Sequence, residues 1–125
     1  MPVLALRGAI TLDHDSPEQI DLQTTRLLET LYERNDLAHD DIISIFFTAT
    51  TDLRSAPPAA SARTFGLVDV PLLCGQEMDV DGSLRLCVRL MLHLETDRDR
   101  SELRHVFLRG AVTLRPELAE EGDEN

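Results

Sequence analysis

Residues 74–89 read CGQEMDVDGSLRLCVR, which places two thiols, one glutamate and two guanidinium groups around one turn signal, Asp81-Gly82. Four chemistries compete for such a stretch: a metal site, a redox pair, a plain hairpin and an anion pocket. A metal site is not expected. Cys74 and Cys87 are too far apart for CxxC spacing, and His14, His39, His93 and His105 are scattered, with no HxH or HExxH among them. A disulfide would require the strands carrying Cys74 and Cys87 to pair. Cys87 lies in an apolar run and reads better as a small core residue. A nucleophilic thiolate wants an adjacent base, and a nearby carboxylate such as Glu77 would raise a thiol's pKa by like-charge repulsion. Cys74 is therefore read as a weak hydrogen-bonding group at most.

The arginines carry more information. All 12 basic residues are Arg, against 23 acidic residues, for a net charge of −11. No stretch offers the basic face that nucleic acid or an anionic membrane surface demands. Without lysine there is no Schiff base and no phosphate-loop amine, so the remaining cationic tasks are holding anions and stabilising negative charge. Arg89 sits in a run of apolar residues, where an unpaired buried guanidinium would be costly. Either Glu77 pairs with it, or its face is solvated, or Arg7, Arg89 and Arg63 line a cleft for a carboxylate ligand. Spacing leaves these readings open.

The elements that must position these groups are legible from pattern. VLALRGAIT (3–11) predicts a strand with Val3, Ala5, Arg7 and Ala9 on one face, and Gly8 beside Arg7 permits close approach to the backbone. Ser16-Pro17-Glu18-Gln19 predicts a capped helix start, with Gln19 completing a capping box. Ile20, Leu27, Leu28 and Leu31 form the apolar stripe of that helix, which should end near Asn35. IISIFFTAT (42–50) predicts a buried strand. Pro57-Pro58 opens a short helix that Gly66 stops. VDVPLLC (68–74) predicts an edge strand. SLRLCVRLMLHLE (83–95) alternates almost without fault and predicts one long strand, with Leu84, Leu86, Val88, Leu90, Leu92 and Leu94 facing one way and Arg85, Cys87, Arg89, Met91 and His93 the other. RHVFLRGAVTLRPEL (104–118) predicts two short strands around Arg109-Gly110. The order implies an α+β fold, one mixed β-sheet with helices on one face, in a single domain over residues 1–118. Residues 119–125 read as an acidic, disordered tail. No apolar run approaches the ~20 residues that span a bilayer, and two isolated cysteines with no signal-like segment suggest a cytoplasmic setting with reduced thiols.

Four pieces, LRGAIT, TATTDLRSAPPAASAR, CGQEMDVDGSLRLCVR and RHVFLRGAVTLRPEL, together resemble the small monofunctional chorismate mutases of the Bacillus type, from Leu6 to Leu118. The resemblance implies a pseudo-barrel homotrimer with active sites between subunits. It implies the Claisen rearrangement of chorismate to prephenate, an isomerase step in phenylalanine and tyrosine biosynthesis, without cofactor or metal. Carried over by position, Arg7, Glu77 and Arg89 are the catalytic set: Arg7 grips a substrate carboxylate, and Arg89 meets the ether oxygen and a carboxylate. Glu77 and Cys74 bond the ring hydroxyl. Arg63 stands at the cleft mouth, Leu73 and Phe107 line the site, and Leu114-Arg115 cover it. The chain departs from the family at Phe107, where a tyrosine is common, and at Pro57 and Ala60. A trimeric imine deaminase and a non-catalytic binder of aromatic-pathway metabolites are the alternative readings.

Overall fold

The computed structural model describes residues 2–125. Five strands and two α-helices follow in the order β1 (Val3–Thr11), α1 (Pro17–Asn35), β2 (Ile42–Ala49), α2 (Pro58–Phe65), β3 (Leu72–Gln76), β4 (Cys87–Glu95) and β5 (Val106–Leu108). Spatially the strands run β3-β2-β4-β1-β5. β4 is antiparallel to both β1 and β2, while β3 pairs parallel with β2 and β5 parallel with β1. The sheet is therefore mixed, as the element order implied, and both edge strands are short.

Local chemistry explains the boundaries. Ser16 caps α1 by accepting from the Gln19 N–H, and Pro17 occupies the first turn. The capping box is half formed, because the Gln19 side chain accepts from the Asp13 N–H instead. α1 ends where Asp36 turns left-handed at φ 47°. Ile20, Leu27, Leu28 and Leu31 are all buried and meet Leu6, Ile10, Ile45, Phe47, Val88, Leu90, Leu92 and Leu94 from the sheet. Gly8 is where the helix comes closest: a Cβ there would lie 3.1 Å from Leu27 and Leu31 methyl carbons. α2 lies on the same side, joined to α1 by an edge-to-face contact of Tyr32 and Phe65 at 5.1 Å.

Three expected elements are corrected. The strand read over 68–74 is displaced to Leu72–Gln76, since its pairing with β2 starts only after Pro71, whose carbonyl accepts from the Ile45 N–H. The strand read over 83–95 begins at Cys87, because Leu86 is left-handed at φ 49° and both carboxylate oxygens of Asp52 take its N–H. That break defeats the alternation upstream of it: Leu84 packs with Cys87 and Phe107 rather than with the leucines of β4, and Arg85 points to solvent. The second short strand after Arg109-Gly110 is a 3₁₀ segment, Arg109–Leu114. Residues 119–125 lie in turns beside α1, where Asp123, 1% exposed, bonds Arg34.

Asn35 joins the end of α1 to the segment that leads into β5. Its amide donates to the carbonyls of Leu31 and Arg104 and accepts from the Arg104 N–H, at 3% exposure. Asn35→Ala leaves these backbone groups without that partner. We expect a loss of about 1–3 kcal/mol, read from the urea unfolding midpoint.

Candidate active site

The face of the sheet away from the helices is open, and the register fixes which side chains share it. Gly75, Thr48, Arg89, Ala9 and Phe107 form one row across all five strands. The adjacent row holds Leu73, Phe46, Met91 and Arg7. A cavity of about 400 Å³ opens here, lined by Arg7, Phe46, Thr48, Arg89, Met91 and His93.

Glu77 stands against two of its lining residues, Thr48 and Arg89. Its N–H donates to the Ala49 carbonyl, which carries the β3 ladder one residue further. Its Oε2 accepts from the Thr48 hydroxyl at 2.5 Å and lies 2.9 Å from Arg89 Nε. The Arg89 contact is an ion pair rather than a hydrogen bond. The Nε–H is not aimed at that oxygen and finds no hydrogen-bond partner among the described residues. A buried guanidinium N–H left in this state is a donor waiting for an acceptor. The plain-hairpin reading of residues 74–89 fails here, since β2 lies between β3 and β4 and Glu77 reaches Arg89 past Thr48. The same topology rules out pairing of the Cys74 and Cys87 strands, and both thiols are free.

Arg7 is held from two sides. Its guanidinium carbon stands 5.6 Å from the centroid of Phe107, a cation–π distance. Its N–H donates to His105 Nδ1 at 2.9 Å. Burial first, then the charges of Arg115 and Arg7, push the His105 pKa below 6.5. The ring is thereby kept neutral, as its acceptor role needs. Phe107 packs with Ala9, Cys87 and Ala111, and Leu114 covers that cluster. Arg115, next along, pairs with Glu117 at 2.5 Å. Burial drives the Cys87 thiol to about 11, with Arg89 opposing and Glu77 adding to the rise, so at neutral pH it stays protonated.

The sequence-predicted residues thus fall into two groups. Arg7, Glu77, Arg89, Phe107, Leu114 and Arg115 gather around the open face. Cys74 pairs in register with the buried Phe47 and so points to the other side, where it lines a second cavity of about 210 Å³ with Pro57 and Pro58. Arg63 is exposed on α2 and lines neither cavity. Sequence reasoning missed Thr48 and His105. The period-two pattern of 42–50 could have put Ser44, Phe46 and Thr48 on one face, but no spacing rule brings Thr48 to Glu77.

A family model for chorismate mutase type I matches residues 3–118. The chain belongs to that family. It is 39% identical to chorismate mutase AroH of Bacillus subtilis over 120 residues, covering 95% of this chain and 94% of that one. It is 43% identical to chorismate mutase AroH of Thermus thermophilus over 117 residues, 93% and 96% of the two chains. A solved chorismate mutase from Clostridium thermocellum superposes with a TM-score of 0.86 at 44% identity, covering 88% of this chain and 98% of its own. These relatives support an isomerase. They lend nothing to the imine deaminase or to the non-catalytic binder.

A folded-state pKa below the unfolded value means that the unfolded chain takes up the His105 proton first as pH falls. Stability should therefore drop as pH falls below about 6.5 and through the lower folded value. His105→Asn keeps an acceptor near the Arg7 N–H and removes the titration. Urea unfolding at pH 7.5 and 5.5, values on either side of about 6.5, should show a smaller loss in the variant than in the parent.

Proposed function

We propose that the open face of the sheet binds chorismate and rearranges it to prephenate, at a site completed by the α2–β3 edge of a neighbouring copy in a homotrimer. In this rearrangement the ether C–O bond breaks while a C–C bond forms within the same molecule. No proton, electron acceptor or second substrate is needed, so a site without an activated nucleophile is adequate. The protein must hold a flexible dianion in its reactive conformation, which is an orientation effect. It must also meet the negative charge that gathers on the ether oxygen with a fixed cation.

The observation that carries this reading is the buried, unpartnered Nε–H of Arg89 beside a carboxylate on an open sheet face. Arg89 is immobilised by strand pairing to β1 and β2 and needs no pH-tuned proton to do its work. Arg7, on the next row, takes a substrate carboxylate, and Glu77 accepts from the ring hydroxyl. Arg115 adds a third cation where the 3₁₀ segment turns back, and Phe107 carries Arg7 on its ring.

Two features support a partner copy. Cys74 and Arg63 lie away from the Arg7–Arg89 cavity of their own chain, so they reach such a cavity only on a neighbour. The open face also exposes apolar area that a neighbour would cover: Phe46 at 40%, Met91 at 39% and Leu73 at 62%. We place the reaction in the cytoplasm; no helix among the described residues is long and apolar enough to cross a membrane, and the exposed Cys74 is a free thiol.

Chorismate absorbance should decay in the presence of the protein, with prephenate as the product. Arg89→Ala, or a neutral replacement of the citrulline type, should lower kcat by at least ~10²–10³, the scale of losing an oxyanion donor. Near-parental turnover would remove Arg89 from the mechanism. Subunit mixing tests the shared site. Refolding an Arg89→Ala variant together with an Arg63→Ala variant should restore some fully native sites and raise activity above either alone. Mixing Arg7→Ala with Arg89→Ala should not, because both residues belong to one half-site. Restoration by the second mixture and not the first would refute this division.

A further inference from the structure

We propose that Thr48 is a positioning residue for this reaction, holding Glu77 so that the Arg89 Nε–H stays open to substrate. The inference rests on the roles just given to Glu77 and Arg89. Thr48 lies between them: it pairs in register with Arg89 on β4 and with Gly75 on β3, two residues before Glu77. Its hydroxyl donates to Glu77 Oε2 at 2.5 Å, and Oε2 is also the oxygen 2.9 Å from Arg89 Nε. Both contacts therefore fall on one oxygen, and Oε1 is left for a ligand hydroxyl.

A carboxylate beside a guanidinium prefers a two-oxygen fork, in which parallel N–H donors bond both oxygens. In that arrangement the Arg89 charge and its donors would be spent on Glu77, and neither oxygen would remain for the substrate. The Thr48 hydroxyl competes with this collapse. It holds Oε2 from the β2 side and so fixes the rotation of the carboxylate about its own axis. Gly75, the register partner of Thr48, leaves room for Phe46 of the adjacent row: a Cβ there would stand 3.2 Å from the Phe46 ring. The hydroxyl matters and not the bulk, which makes valine the telling replacement and serine the conservative one.

The test is a set of variants assayed with chorismate and checked for unfolding midpoint. Thr48→Val should lower kcat about tenfold, the scale of losing a hydrogen bond to a charged group. KM should change by no more than about twofold, because the ground-state dianion is held chiefly by Arg7. Thr48→Ser should return kcat to within about threefold of the parent, and Thr48→Ala should behave as Thr48→Val. In a Glu77→Ala background, Thr48→Val should change nothing further, since Thr48 acts through Glu77. The Arg89 Nε–H resonance, assigned by its loss in Arg89→Lys, should move in Thr48→Val as the fork forms. Parental kcat in Thr48→Val, or an equal loss with and without Glu77, overturns the inference and leaves the proposed function standing. If the parent protein fails to convert chorismate, the proposed function falls, and the resonance alone decides: unmoved in Thr48→Val, it overturns the positioning role as well.

Discussion

A guanidinium in the second residue-pair of a central strand is tolerable only if something answers its charge without extinguishing it. Arg89 meets that constraint through Glu77, which sits beside it as a counter-ion but does not take its Nε–H. Full pairing would make the site a structural ion pair, of the kind whose desolvation cost roughly cancels its attraction. No pairing would leave a buried charge whose removal from water nothing offsets. The intermediate state, one carboxylate oxygen shared between Thr48 and Arg89, answers the charge and, in the proposed mechanism, reserves a donor for a substrate oxygen. Other features of the site follow from where this pair must stand.

The sheet topology supplies that place. Inserting β4 between β1 and β2 puts Arg89 in the middle of the sheet, flanked by Ala9 on one side and Thr48 on the other. Both helices lie on the opposite face, so α1 and α2 bury the leucines of β4 and leave its other face free. Gly8 lets α1 sit low against β1 without disturbing Arg7 one residue earlier. The chain after β5 then turns back in 3₁₀ form, bringing Leu114 over Phe107 and Arg115 near His105. One face thus provides the core and the other the proposed site, and each strand serves both through its period of two.

Charge is distributed on the same logic. The chain is strongly acidic overall, yet Arg7, Arg89 and Arg115 converge on one face with Glu77 as the acid beside Arg89. The neutral His105 lets Arg7 be anchored through its backbone while its side chain remains cationic above Phe107. An acidic exterior repels dianions in general, so entry to the proposed site would depend on this local field rather than on long-range steering.

Elements whose patterns are local were readable from the sequence: the capped start of α1, its Ile20–Leu31 stripe, the 3–11 and 42–50 strands, and the alternation of Val88 through His93. These depend on side-chain periodicity and on short-range capping, which contiguous residues specify. Arg7, Glu77 and Arg89 could be nominated from residue type, and motif likeness grouped them. What contiguous residues do not specify is which strands become neighbours. The β3-β2-β4-β1-β5 order, the truncation of β4 at the left-handed Leu86 clamped by Asp52, the separation of Cys74 from Glu77 onto opposite sides, and the meeting of Thr48 with Glu77 were all decided by tertiary packing. Each rests on a contact between residues far apart in the chain, and periodicity along a strand is silent about register across strands.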